Sequence, residues 1–146
     1  LTDKTLRASV YSMANYDDTT DWSYAHGTGL SYPNEFIDAR LYYYQIDDEF
    51  KPKLGYTRRT NIRKYSSGIS VRPRTETISW LRKYHISYYN SLYTTMDNQM
   101  ESQKHSLYIP YLDFESGFDF SFEIEREFDR PDRDFTVSGG GKVPAG

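Results

Sequence analysis

Apolar and polar side chains alternate along much of the chain, and residues 117–127, GFDFSFEIERE, show the pattern most clearly. The apolar set is Phe118, Phe120, Phe122 and Ile124, and the polar set is Asp119, Ser121, Glu123 and Glu125. Successive side chains of a β-strand point to opposite faces of its sheet. This segment is therefore predicted to be a strand with one apolar and one polar face. The stretch 22–32 alternates too, and one of its faces carries only Ser, Ala and Gly.

Clusters of Asp, Asn, Ser, Gly and Pro separate such segments at intervals typical of short strands joined by turns. The predicted segments are Thr5–Asn15, Trp22–Tyr32, Glu35–Ile46, Leu54–Arg63, Ser67–Arg72, Thr77–Met96, Gln99–Leu112, Gly117–Glu127 and Asp134–Lys142. Residues 77–96 also have a helical spacing of apolar residues, but their β-branched and aromatic content favours a strand. We expect an all-β fold, an antiparallel up-and-down meander.

Composition leaves two settings open for such a meander. Aromatic residues make up 17% of the chain, and 15 of them are Tyr, which suits a boundary between apolar and aqueous media. Strands of about 9–11 residues span a bilayer when tilted, and membrane barrels carry aromatic girdles at both interfaces. Against this, the mean hydropathy is −0.81. Part of an outer-membrane β-barrel and a soluble β-sandwich are both compatible with the pattern.

Charge and residue usage restrict the chemistry. The net charge is only −3, so we expect no nucleic-acid partner, and without Cys there is no disulfide or thiolate site. His26, His85 and His105 lie far apart in sequence, so no metal site and no cofactor are expected. No catalytic residues can be assigned from spacing, and we expect no enzymatic activity in this segment.

Residues 49–65, EFKPKLGYTRRTNIRKY, concentrate basic side chains in a slightly acidic chain. Read as a strand, this stretch places Arg59, Asn61 and Arg63 on one side. In a barrel, Arg59 and Arg63 would form a basic stripe in the lumen, facing Glu123, Glu125 and Glu127 of a later strand. Such a stripe either fixes the barrel shape by ion pairing or favours anionic solutes.

Three short motifs resemble a family of bacterial envelope proteins that is common in Bacteroidetes. The motifs are FKPKLGYTRR (50–59), YSSGISVRPR (65–74) and the terminal VPAG (143–146). The family combines an N-terminal carbohydrate-binding-module-family-9-like domain with a long C-terminal region of uncharacterised function, often described as membrane-associated or hydrolytic. The resemblance covers about residues 20–146 and implies a barrel-like region. The structural motif positions in this chain are Phe50, Pro52, Leu54, Gly55, Tyr56, Arg58 or Arg59, Arg72, Pro73 and Pro144 to Gly146.

The resemblance favours the barrel. Residues 1–146 are expected to form one β domain, a piece of a larger barrel in the outer membrane of a Gram-negative bacterium, with a structural or solute-passage role linked to carbohydrate use. The expected partners are outer-membrane lipid, glycans, and other parts of the parent chain or of an envelope complex. The alternative is a soluble carbohydrate-binding β-sandwich attached to a hydrolase, with Trp22 and Trp80 stacking on sugar rings.

Overall fold

The computed structural model describes residues 5–19, 21–52, 55–73, 78–131, 135–136 and 139–143. Its strands are β1 (Arg7–Asp17), β2 (Asp21–Tyr32), β3 (Ile37–Ile46), β4 (Ile62–Val71), β5 (Leu81–Thr95), β6 (Met100–Phe114), β7 (Asp119–Asp129), β8 (Phe135–Thr136) and β9 (Lys142–Val143). The described residues contain no α-helix, and thus no helix able to cross a membrane. The protein is all-β, as the alternation predicts.

Strands β1 to β7 form one sheet in which each strand pairs antiparallel with the next in sequence. The meander is therefore confirmed, and residues 77–96 contribute a long strand rather than a helix. The short β8 and β9 form a separate hairpin. In this order the connections 18–20, 47–61 and 96–99 lie at one end of the sheet, here called the loop end, and the connections 33–36, 72–80 and 115–118 lie at the opposite end.

Two predicted segments differ from the observed strands. Residues 54–63 were expected to be a strand, but β4 begins only at Ile62, and the described residues 55–61 belong to the β3–β4 loop. The loop ends at Asn61, whose φ of 55° lies in the left-handed region that Asn tolerates better than most residues. Residues 134–142 are expected to be one strand, but among their described residues Phe135–Thr136 form β8, residues 139–141 are not in a strand, and Lys142 begins β9.

The register divides the seven-stranded sheet into two faces of different chemistry. Paired residues share a face, so the pairing from β3 to β7 places Ala39, Ile69, Tyr88, Leu107 and Ile124 in one row. The next row on the other face contains Arg40, Gly68, Tyr89, Ser106 and Glu125. We call these the apolar face and the polar face.

On the polar face, Tyr rings lie over Gly residues of neighbouring strands. A Cβ added to Gly27 would come within 2.7 Å of the Tyr11 ring, and one added to Gly29 within 2.6 Å of the Tyr42 ring. Gly68 has the same relation to Tyr89, at 2.8 Å. The absence of a side chain at these Gly positions lets a ring lie flat against the sheet. The bare face of residues 22–32 is thus covered by rings from β1 and β3.

Neither face of the sheet is covered by a second layer among the described residues, where strands contact only their sheet neighbours. The buried apolar residues in the described part are Ala25, Phe50, Ile62 and Leu81. The chain's accessible surface is 10921 Å², against about 7,800 Å² for a compact monomer of 17.2 kDa. The described residues therefore lack the paired sheets and common core of a β-sandwich.

Candidate functional site

The described residues of the β3–β4 loop, 47–52 and 55–61, fold over the polar face at the loop end of the sheet. The start of the loop is held against β2, because the Asp47 amide donates to the Tyr24 carbonyl oxygen at 3.0 Å and the Tyr24 amide donates to Asp47 Oδ2 at 2.8 Å. Farther along the loop, Arg59 Nη1 donates to Ser102 Oγ of β6 at 3.3 Å. The loop therefore crosses from β3 to β6 instead of continuing away from the sheet.

A cavity of about 540 Å³ lies between this loop and the polar face. The loop contributes Tyr56, Thr57, Arg58 and Arg59. The sheet contributes residues from five strands: Tyr44, Ile46, Ile62, Ser91, Tyr93, Ser102, Gln103, Lys104, Glu127 and Asp129. The cavity is open to solvent and mostly polar, so it can hold a hydrated or hydroxyl-bearing solute.

Three cations stand at or beside this cavity without a carboxylate partner among the described residues: Arg58, Arg59 and Lys64. The guanidinium of Arg59 lies 5.1 Å from the centre of the Tyr93 ring, and Lys64 Nζ lies 4.9 Å from the same centre. Lys64 Nζ is also 5.7 Å from the Tyr44 ring centre. Cation–π contacts hold the side chains in place but leave their positive charge uncompensated.

Carboxylates line the opposite wall of the cavity. The register aligns Asp129 with Ser102, Glu127 with Lys104 and Glu125 with Ser106, all on the polar face. The predicted acidic stripe of Glu123, Glu125 and Glu127 on one strand face is therefore confirmed. Lys104 forms an ion pair with Glu125, so it is partly neutralised. The three cations Arg58, Arg59 and Lys64 thus face carboxylates on β7 across the cavity.

The expectation that Arg59 and Arg63 share one strand face is wrong. Arg59 lies in the loop and contacts the polar face, whereas Arg63 is the second residue of β4 and aligns with Gln45 and Thr94 on the apolar face. Arg63 Nη1 donates to Asn98 Oδ1 in the β5–β6 turn at 2.5 Å. The basic cluster of the cavity contains Arg58, Arg59 and Lys64 instead.

The structure does not bring Trp22 and Trp80 together. Trp22 lies at the loop end beside Tyr16, with ring centres 5.3 Å apart, and Trp80 lies at the opposite end stacked on Phe114 at 5.7 Å. Both remain well exposed, at 60% and 59%. They do not form one platform for a sugar chain.

The motif residues fall into two groups in the structure. In the β3–β4 loop, Phe50 is buried, a Cβ added to Gly55 would lie 3.7 Å from Pro52 Cγ, and Arg58 lines the cavity. Arg72 follows β4 and donates its backbone amide to the Phe36 carbonyl oxygen at 2.7 Å, and Pro73 comes next. The motif positions Leu54 and 144–146 lie outside the described residues.

Sequence reasoning missed Lys64, Tyr93 and Ser102 as parts of this site. They come from three different strands, and only the register places them in one row with Tyr44 and Asp129. Lys64 can be assigned to the polar face only when the first residue of β4 is known. Among the described residues, no group of three His, Asp or Glu side chains is arranged to hold a metal ion.

Comparison with protein-family models, with curated proteins and with solved structures finds no match.

Proposed function

We propose that the seven-stranded sheet is a section of the wall of an outer-membrane β-barrel in a Gram-negative cell envelope. The observation that carries the proposal is a single sheet with two uncovered faces, one apolar and exposed, the other polar and charged. An isolated sheet in water would bury the apolar face against another layer. In a barrel wall, lipid covers that face and the polar face lines the lumen.

The dimensions of the strands fit this role. They contain 10 to 15 residues, and about 9–11 residues of tilted strand are enough to cross the hydrocarbon layer. The middle of the apolar face exposes Leu30, Leu41, Ile69 and Ile124. These side chains form the lipid-facing band of the proposed wall.

Charged groups are distributed as the proposal requires. The carboxylates of β7, Lys64, Lys104 and the Arg40–Asp38 ion pair are on the polar face. The apolar face carries Arg63 and Arg126, and both lie toward the loop end of their strands. Long basic side chains near a membrane boundary can extend their charge into the headgroup region.

The two edge strands of the sheet, β1 and β7, are where further strands would pair to close a barrel. β1 and β7 each have a neighbour on one side only, so their outer backbone groups have no ladder partner within the sheet. A barrel needs every backbone group paired inside the bilayer, and bacterial barrels have at least about eight strands. We propose that other strands of the parent protein or of an envelope complex pair with β1 and β7.

Fluorescence from Trp22 and Trp80 tests the membrane setting. We expect lipids brominated near the headgroup to quench both the Trp22→Phe and the Trp80→Phe variant, since the remaining Trp of each lies at one end of the strands where an aromatic girdle belongs. Lipids brominated near the chain end should quench either variant weakly. A protein that stays monodisperse without detergent and shows no quenching would contradict the proposal.

A solute-passage role is tested by charge reversal on the two faces. In a reconstituted full-length barrel, Arg59→Glu should shift selectivity toward cations, because it replaces a cation of the lumen face beside Glu127 and Asp129. Arg63→Glu is the matched control, because Arg63 lies on the apolar face, and it should leave the reversal potential unchanged. Equal effects of both variants, or none from Arg59→Glu, would reject a role of the cavity in passage.

A further inference from the structure

We propose that the cavity beneath the β3–β4 loop binds an acidic sugar of about disaccharide size with a single carboxylate, such as a uronic acid linked to one neutral hexose. This inference rests on the proposed function, since it names the solute class that the lumen face would select. Its basis is the arrangement around the cavity of hydroxyl-binding groups, an exposed aromatic ring, and cations that have no carboxylate partner among the described residues.

The volume sets the size of the ligand. A cavity of about 540 Å³ holds on the order of 18 water molecules at about 30 Å³ each. A single inorganic anion or a free amino acid would occupy a small part of this space and leave most of the polar wall hydrated. Two linked sugar rings fit within it.

The cations set the charge of the ligand. Arg58 and Arg59 lie on the loop side of the cavity and have no carboxylate partner among the described residues. A guanidinium binds a carboxylate through two parallel hydrogen bonds, which is the strongest polar contact available to these side chains. Lys64 adds a further positive charge, with its Nζ 4.9 Å from the centre of the Tyr93 ring.

The opposite wall sets the remaining chemistry. Glu127 and Asp129 accept hydrogen bonds only, while the hydroxyls of Ser91 and Ser102 both donate and accept. A ligand that was anionic throughout would be repelled by these carboxylates. Sugar hydroxyls donate to carboxylates and accept from hydroxyl groups, so a ligand with one carboxylate end and many hydroxyls satisfies both walls.

An aromatic surface is available at the rim of the cavity. The faces of Tyr93 and Tyr44 are approached by Arg59 and Lys64. Tyr56 lines the cavity and is 88% exposed. Its ring can pack against the C–H face of a pyranose while the hydroxyl stays in water.

Calorimetric titration of the full-length protein in detergent micelles with galacturonosyl-galactose, a disaccharide with one carboxylate, tests the inference. We expect saturable binding that Arg58→Gln with Arg59→Gln weakens about tenfold or more, because two charge-assisted contacts are lost. Arg63→Gln, which alters a cation on the opposite face, is the matched control and should change the affinity less than about twofold. Neutral digalactose should bind at least about tenfold more weakly.

Glu127→Gln separates sugar recognition from simple attraction of anions. If Glu127 accepts a hydrogen bond from a sugar hydroxyl, the variant weakens galacturonosyl-galactose binding. If the cavity only collects negative charge, removal of a carboxylate strengthens that binding. The inference is overturned by stronger binding to this variant, by equal affinity for digalactose, or by tighter binding of the dipeptide glycyl-aspartate. Binding in micelles does not require a closed barrel, so the two proposals can fail separately. If the protein enters membranes but gives no titration heat, the proposed ligand is wrong and the barrel proposal stands. If the protein binds the sugar but never enters membranes, the barrel proposal is wrong and the proposed ligand stands.

Discussion

Replacing Leu41 or Ile69 with Arg is expected to destabilise the protein in lipid bilayers by about 2–4 kcal/mol each, the cost of a basic residue near the bilayer middle of a barrel wall. Leu41 is 57% exposed and Ile69 45% exposed on the apolar face. Their side chains would lie among acyl chains in the proposed setting. The free energy of unfolding, measured by urea titration of the protein in lipid vesicles, gives the effect directly.

Ser66→Arg is the matched control for these two variants. Ser66 pairs with Tyr42 and Ser91 on the polar face of the same sheet, so a new Arg there would enter the aqueous lumen. We expect a change of less than about 0.5 kcal/mol, as for most surface substitutions. If Leu41→Arg and Ile69→Arg are as mild as Ser66→Arg, the apolar face is not in contact with lipid, and the barrel proposal fails.

Replacing Gly68 with Leu is expected to cost about 1–3 kcal/mol, because the new side chain would overlap a ring that lies on the sheet. An added Cβ already comes within 2.8 Å of Tyr89 Cδ1 and 3.3 Å of Arg40 Cγ. Tyr89 cannot move freely, since its hydroxyl is 3.2 Å from Ser70 Oγ and its ring meets Tyr108 edge-on. The same urea titration measures the loss.

Two further variants show whether the overlap with Tyr89 is the cause. In a double-mutant cycle, Gly68→Leu should cost less in a Tyr89→Ala background, where the space of the ring is free. Gly141→Leu should have little effect, because an added Cβ meets no heavy atom within 4 Å at that position. Full additivity of Gly68→Leu and Tyr89→Ala would contradict the proposed Gly–Tyr packing.

The chemistry of the two faces explains why a chain of low mean hydropathy can still present an apolar surface. Ser, Gly, Tyr and charged residues occupy the polar face, and most of the aliphatic residues and Phe lie on the other face. An average over the sequence mixes the two sets, whereas the sheet separates them. Mean hydropathy therefore does not reveal an apolar surface in a chain whose apolar and polar residues alternate along its strands.

Arg59 and Arg63 show where a prediction based on strand alternation fails. Their spacing of four residues is even, so a continuous strand would place both on one face. The left-handed conformation at Asn61 interrupts that path, and β4 starts after it. Arg59 therefore belongs to the loop and lines the cavity, whereas Arg63 belongs to β4, where the register places it on the opposite face.

The all-β class, the meander, the strand nature of residues 77–96 and the acidic face of β7 follow from the sequence by itself, since period-two alternation and turn residues act locally on the backbone. Only the tertiary structure decided the rest: the fold of the β3–β4 loop over the polar face, the row that joins Lys64, Tyr93 and Asp129, and the Tyr rings over Gly. These features depend on the start of each strand and on pairing across several strands. No local pattern records such non-local contacts, so the cavity became visible only with the folded sheet.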